Sequence, residues 1–191
     1  MAPRKNASPP RGREAVVDAV CKAAAELFAE RGPSAVSSRD IAAAAGVNYG
    51  LIHRHFGGRD ELLRQVMLRL AEDLGRAFDQ AEHSGRSPIE TLAENPTYAR
   101  ALAHAALDGV DMATLQERHP VMDRFLERLL SGASMENELD TRISGAVAVS
   151  TVLGWAVFGS FIGPAMGLED VDESTLNSGL DARLLRILRP S

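Results

Sequence analysis

The chain has 191 residues, 45% hydrophobic and 25% charged, which fits one compact domain or two small ones and excludes wholesale disorder and any large multidomain enzyme. Its single cysteine, Cys21, excludes an internal disulfide and a Cys-rich zinc site, and points to a reducing, cytoplasmic compartment. The net charge of -5 conceals an asymmetry: residues 1–60 carry nine Lys/Arg against six Asp/Glu, and residues 61–191 carry twelve against twenty. Only the N-terminal third is suited to approach an anionic polymer.

Alanine (29) and leucine (22) dominate the composition and favour helices. Residues 1–13 place Arg4, Lys5, Arg11 and Arg13 among prolines without an apolar run, so they read as a basic arm rather than a signal or anchor. From Arg13 to Arg31 the apolar residues Val16, Val20, Ala23, Ala24, Leu27 and Phe28 recur at helical spacing, and Gly32-Pro33 ends the run. Ser37 and Asp40 form a capping box for a short helix through Ala45. Gly46 suits the left-handed C-cap of that helix, and Asn48 is the N-cap of the next, which runs to about His55. After Phe56-Gly57-Gly58, Asp60 and Glu61 open a longer helix to about Glu82, with an apolar stripe from Leu62 to Phe78.

Residues 83–88 read as a loop and a domain boundary. Helical pieces follow near 89–94, after Asn95-Pro96, over about 120–130, over 139–162 and over 173–188, with a polar loop at 131–138. No strand or repeat stands out, and the chain reads as all-α.

The sharpest feature is the segment 37–56, two short capped helices joined by a tight turn at Gly46-Val47. Ala42 and Ala45 permit close approach, and Ile41, Val47 and Ile52 can fill the space between the helices. This is the spacing of a helix-turn-helix, whose second helix enters the major groove.

Residues 14–74 resemble the DNA-binding domain of the TetR family of transcriptional regulators. Ala24-x-x-Leu27-Phe28-x-x-x-Gly32 resembles its first helix, and Arg39-Asp40-Ile41-Ala42-x-x-Ala45-Gly46-Val47 its second. Gly50-Leu51-Ile52-His53-Arg54-His55-Phe56 resembles its recognition helix, and Arg59-Asp60-Glu61-Leu62 the start of its fourth. The chain departs from the usual family pattern at His53, where Tyr is common, and at Leu51, Tyr49 and Arg59. The resemblance implies a three-helix head joined to a C-terminal ligand-binding and dimerisation domain, residues 75–191. The implied activity is that of a dimeric, ligand-responsive repressor.

Side-chain chemistry divides the expected DNA contacts. Arg39 can reach a phosphate or a guanine edge, Tyr49 can donate to phosphate or stack on sugar, and Leu51 offers an apolar surface to a thymine methyl. Asn48 and Gly50 lead the recognition helix, and Gly50 lets it lie close to the groove. His53, His55 and Arg59 resemble the family's phosphate contacts, with the hydroxyls of Ser37 and Ser38. For Ser37 a purely structural cap, and for His55 packing beside Phe56, are the alternatives.

Enzymatic chemistry has no motif here: there is no nucleophile elbow, phosphate-cradling loop or framed acid pair. Two residues apart on a helix, His53 and His55 diverge, so they do not form a metal pair. His104 and Asp108 have the spacing of a His–carboxylate pair. Neither a metal nor a cofactor is expected.

Between Arg142 and Glu169 lie 26 uncharged residues, long enough to span a bilayer but rich in glycine and hydroxyl side chains. A helix apolar nearly all round must be buried on nearly all sides, which a dimer provides. The family's dimer is built from its last two helices, so the resemblance implies an interface over 145–162 and 174–188, with Ala146, Ser150, Gly154, Leu180 and Leu184. An apolar effector pocket is expected among His104, Leu107, Met112, Met122, Phe125, Trp155 and Phe158. A homodimer would read a palindromic operator on double-stranded DNA, with a small-molecule effector changing the spacing of its heads. The competing readings are a helical adaptor acting through protein contacts without DNA readout, and a membrane-associated protein using the uncharged run.

Overall fold

The computed structural model describes residues 12–115, 118–131 and 137–188. Nearly all of the expected basic arm and most of the loop at 131–138 lie outside them. Among the described residues the secondary structure is entirely helical: α1 (Arg13–Arg31), a 3₁₀ turn (Pro33–Ala35), α2 (Ser38–Ala45), α3 (Tyr49–Phe56), α4 (Arg59–Ser84), α5 (Pro88–Glu94), α6 (Thr97–Leu107), α7 (Met112–Leu115), α8 (Pro120–Leu130), α9 (Glu138–Ala165) and α10 (Glu173–Ile187). The single turn of α7 is too short to show in apolar periodicity.

The chain forms two compact units, Met1–Leu70 with Ala101–Glu117, and Ala71–Arg100 with Arg118–Ser191. In the first, α1 packs on α2, α3 and the 3₁₀ turn, and α2 packs on α3. The faces that meet are those marked by the apolar spacing: Val20, Ala24 and Phe28 of α1, Val36, Ile41 and Ala42, and Ile52 and Phe56 of α3 are all buried. Leu62, Val66 and Met67 of α4 join this core. Cys21 is buried with them, and burial pushes its thiol pKa up, against the opposing pull of Arg69. The thiol thus packs as a small buried apolar group.

In the second unit α9 packs on α8, α10 and α5, and α10 packs on α5. Ile89, Ala148 and Leu184 form a buried cluster, flanked by Val152, Trp155, Leu180, Ile187 and Leu188. Gly145 makes the α8–α9 approach possible: a Cβ there would lie 2.6 Å from Leu129 Cδ2 and 3.4 Å from Phe125 Cε1. At the start of α10, Asp172 accepts from the Thr175 amide at 3.0 Å and from Ser174 Oγ at 2.8 Å. Hydrogen bonding from the Thr175 side chain, then from the Thr175 amide and from Ser174, lowers its carboxyl pKa to about 2.

Candidate nucleic-acid interface

Local chemistry builds the reading head before tertiary packing orients it. Ser37 Oγ accepts from the Asp40 amide at 3.2 Å, and the Ser37 amide donates to Asp40 Oδ2 at 2.9 Å, completing the capping box of α2. Ser37 Oγ also donates to Asp40 Oδ2 at 2.5 Å. The hydroxyl and then the amide of Ser37 hold the Asp40 carboxyl below its ordinary pKa. Gly46 ends α2 in the left-handed conformation, φ 65° and ψ 34°, and Val47 N donates back to Ala42 O at 3.0 Å. A side chain at Gly46 would be strained by that φ. Asn48 then caps α3 by accepting from the Gly50 amide at 2.8 Å.

Burying Ile52 and Phe56 on α1 and α2 fixes the rotation of α3, leaving the opposite face to solvent. Asn48, Tyr49, Gly50 and His53 are exposed on it, while Leu51 and His55 are half-buried. Tyr49 is 50% exposed although it is aromatic. The Arg39 guanidinium lies over its ring at 5.9 Å from the centroid, which ties the first turn of α2 to the first turn of α3. Arg39 and Arg59 are exposed, and Ser38 is half-buried. Arg59 also donates to the carbonyl of Pro33, so one of its nitrogens holds the 3₁₀ turn and the rest of the fork remains available. The Ser37 hydroxyl is occupied by the cap.

A second support of the same turn has no sequence signal. The Ser34 amide donates to Asp108 Oδ2 at 2.7 Å, and this bond holds the Asp108 carboxyl below its ordinary pKa. His104 Nδ1 lies within 3.2 Å of the position a Cβ on Gly32 would take. Asp108 thus serves the turn before α2, and His104 packs beside that turn.

Residues 20–66 match the family described as bacterial regulatory proteins, tetR family. The HTH-type transcriptional repressor Rv3405c of Mycobacterium tuberculosis is 35% identical over 182 residues, covering 95% of this chain and 93% of that protein. The chain belongs to the TetR family. The HTH-type transcriptional repressor KstR2 of Rhodococcus jostii is 33% identical over 87 residues, 44% of this chain and 43% of the relative. Among solved structures, a tetR-type regulator from Shewanella sp. PV-4 superposes with a TM-score of 0.59 at 16% identity, covering 93% of this chain and 96% of its own. A linker-substituted mutant of HlyIIR superposes at 0.56 with 21% identity, covering 93% and 97%. These two share the fold. As a TetR-family protein, the chain is a DNA-binding transcriptional regulator, and repressors of this family act as dimers.

In the C-terminal part, the structure sorts the expected residues differently from their composition. The second unit contains a cleft of about 470 Å³ between α4, α5, α8, α9 and α10. Of the expected pocket residues, Met122 and Phe125 line it. His104, Leu107 and Met112 are not brought to it: Leu107 is 84% exposed, and His104 packs beside Gly32 in the first unit. Phe158 is exposed, and Trp155 packs on the Ile89–Ala148–Leu184 cluster. Of the expected interface residues, Ala146 and Ser150 are exposed, and Gly154 is half-buried with open space where its Cβ would stand. Leu184, 5% exposed, is buried within its own chain with Leu180 against it, and Leu185 is the exposed leucine of α10. Leu139, Ile143, Val147, Phe158 and Phe161 extend the exposed apolar face of α9. By length and composition alone, α9 is also long and apolar enough to cross a membrane, a test that the core helix of a soluble protein passes as well.

Proposed function

We propose that this TetR-family regulator is a cytoplasmic repressor, dimeric through the exposed faces of α9 and α10, that reads a palindromic operator and is released by a small apolar effector. Related proteins named as repressors support the sign of regulation. The observation that carries the reading is the presentation of α3: Ile52 and Phe56 are anchored inward while Asn48, Tyr49, Gly50 and His53 face outward beside Arg39. In this arrangement Arg39, Asn48, Tyr49, Gly50 and Leu51 read base edges or shape. Ser38, His53, His55 and Arg59 contact phosphate, and Ser37 acts through its cap. The proposed interface uses Ala146, Ser150, Gly154, Phe158, Phe161 and Leu185, because an apolar helix face of this length is costly in water. The chain acts by binding rather than by catalysis.

The test is sedimentation equilibrium of the wild type and of Gly154→Asp, paired with footprinting on a selected duplex. The wild type should sediment as a dimer and protect two half-sites on one face of the DNA, and Gly154→Asp should be monomeric and lose the paired footprint. A dimeric Gly154→Asp with intact protection would contradict the interface.

A further inference from the structure

We infer that the cleft of the second unit takes an apolar molecule carrying one cationic, hydrogen-bond-donating group, and that Asp181 is the residue that receives it. The inference rests on the proposed effector role of this cleft and goes further by naming the chemistry of its ligand.

The walls of the cleft are largely apolar, with Leu74, Phe78, Val121, Phe125, Val152 and Leu188 among them, so most of a ligand's surface must be apolar. Its polar groups are engaged with one exception. Arg124 donates to Asp79 at 2.7 Å, and Arg128 pairs with Glu82 at 2.7 Å. Arg86 pairs with Glu94. Thr91 Oγ1 donates to the Ser87 carbonyl at 2.7 Å, Ser87 Oγ accepts from the Glu90 amide at 3.0 Å, and Tyr98 has a partner of its own. All three guanidiniums that line the cleft are therefore committed to carboxylates of this chain.

Asp181, on α10, also lines the cleft, and its Oδ1 is buried without a hydrogen-bond partner. Among the described residues it is the only buried side-chain oxygen or nitrogen in that condition. A carboxyl oxygen closed from water and left without a donor is costly, and a native structure that keeps one calls for a reason. A ligand in the cleft meets the Asp181 carboxylate on the wall, the one carboxylate lining the cleft that pairs with no arginine among the described residues. An ammonium group matches this acceptor, and an anion would meet Asp181 with every neighbouring arginine occupied. Charge and wall chemistry together favour an alkyl or arylalkyl amine, protonated at neutral pH, over a fatty acid or another carboxylate.

The experiment uses the full-length protein and three probes that share one chain: octylamine, octanol and octanoate. Binding is followed by Trp155 fluorescence and by thermal shift, and DNA release is measured separately. Octylamine should bind roughly tenfold or more tighter than octanol or octanoate, as a charge-assisted hydrogen bond implies, and Asp181→Asn should erase that preference. Without ligand, Asp181→Asn and Asp181→Leu should melt at or above the wild-type temperature, because they relieve an unpartnered group. A structural role for Asp181 would instead lower both melting temperatures and overturn the assignment. Equal binding of the three probes, preference for octanoate, or no binding of any would overturn it too. Asp181-dependent amine binding that leaves DNA affinity unchanged would uphold the ligand class and refute the effector role of the cleft. Octanoate-driven DNA release would do the reverse.

Discussion

The Ser34 amide and the Asp108 carboxylate, 74 residues apart in sequence, are joined by a 2.7 Å hydrogen bond. With the Arg59 guanidinium on the Pro33 carbonyl, it fixes the 3₁₀ turn from two directions, from the start of α4 and from beyond the end of α6. That turn sets where α2 begins, so its stiffness bears on the aim of α3.

Asp108→Asn should lower the melting temperature at neutral pH and weaken operator binding without changing the salt slope, since Asp108 touches no phosphate. Its carboxyl pKa is held below the ordinary 3.8, so its contribution is full above 3.8 and is lost as pH falls through the lowered value. Melting curves across that range should show the wild type's advantage over Asp108→Asn shrinking below pH 3.8. An advantage independent of pH would remove the hydrogen bond from the explanation.

Tyr49 and Arg59 should separate by salt and sequence. Tyr49→Ala removes a recognition-helix side chain and the platform under Arg39, and should weaken specific binding more than non-specific binding. Equal losses would reassign Tyr49 to positioning. Arg59→Ala should weaken all sequences alike and flatten the salt slope by about one unit. An unchanged slope would leave Arg59 only its contact with Pro33.

Ser37→Ala should cost about 1 kcal/mol in denaturant unfolding, the usual loss of a helix N-cap. Its effect on DNA affinity should be no larger than that of Ser37→Asp, which restores a cap acceptor while adding a charge. Rescue of stability by Asp would confirm the cap, and no loss in the alanine variant would refute it.

Gly145→Ala should destabilise the second unit by about 1–3 kcal/mol, the cost of overpacking, because the added methyl meets Leu129. Leu129→Ala in the same chain should recover part of the loss. Independent, additive costs in the double variant would show that the two positions do not touch.

The head was legible from sequence because its punctuation is local. Gly32-Pro33, the Ser37–Asp40 box, Gly46 and Asn48 each act within a few residues, and each does in the structure what its chemistry predicts. The body was legible as helices and much less as surfaces. Leu184 and Leu185 are neighbours of identical composition, yet about 100° of helical rotation buries one and exposes the other. Leu107 and Phe158 are apolar enough for a pocket, but tertiary packing turns both to solvent. Asp181 shows the same limit from the polar side, since only the packed chain reveals that its Oδ1 lacks a donor.

The central claim is that α3, as presented by this head, reads DNA sequence in pairs. Its most direct test is selection of the purified, effector-free protein against a random duplex library, followed by a salt titration on the enriched sequence. The account predicts a palindrome with half-sites about 10 base pairs apart, or a multiple of that, and affinity falling steeply with salt. Recovery of no sequence above the unselected pool, with only weak salt-sensitive binding, would contradict it.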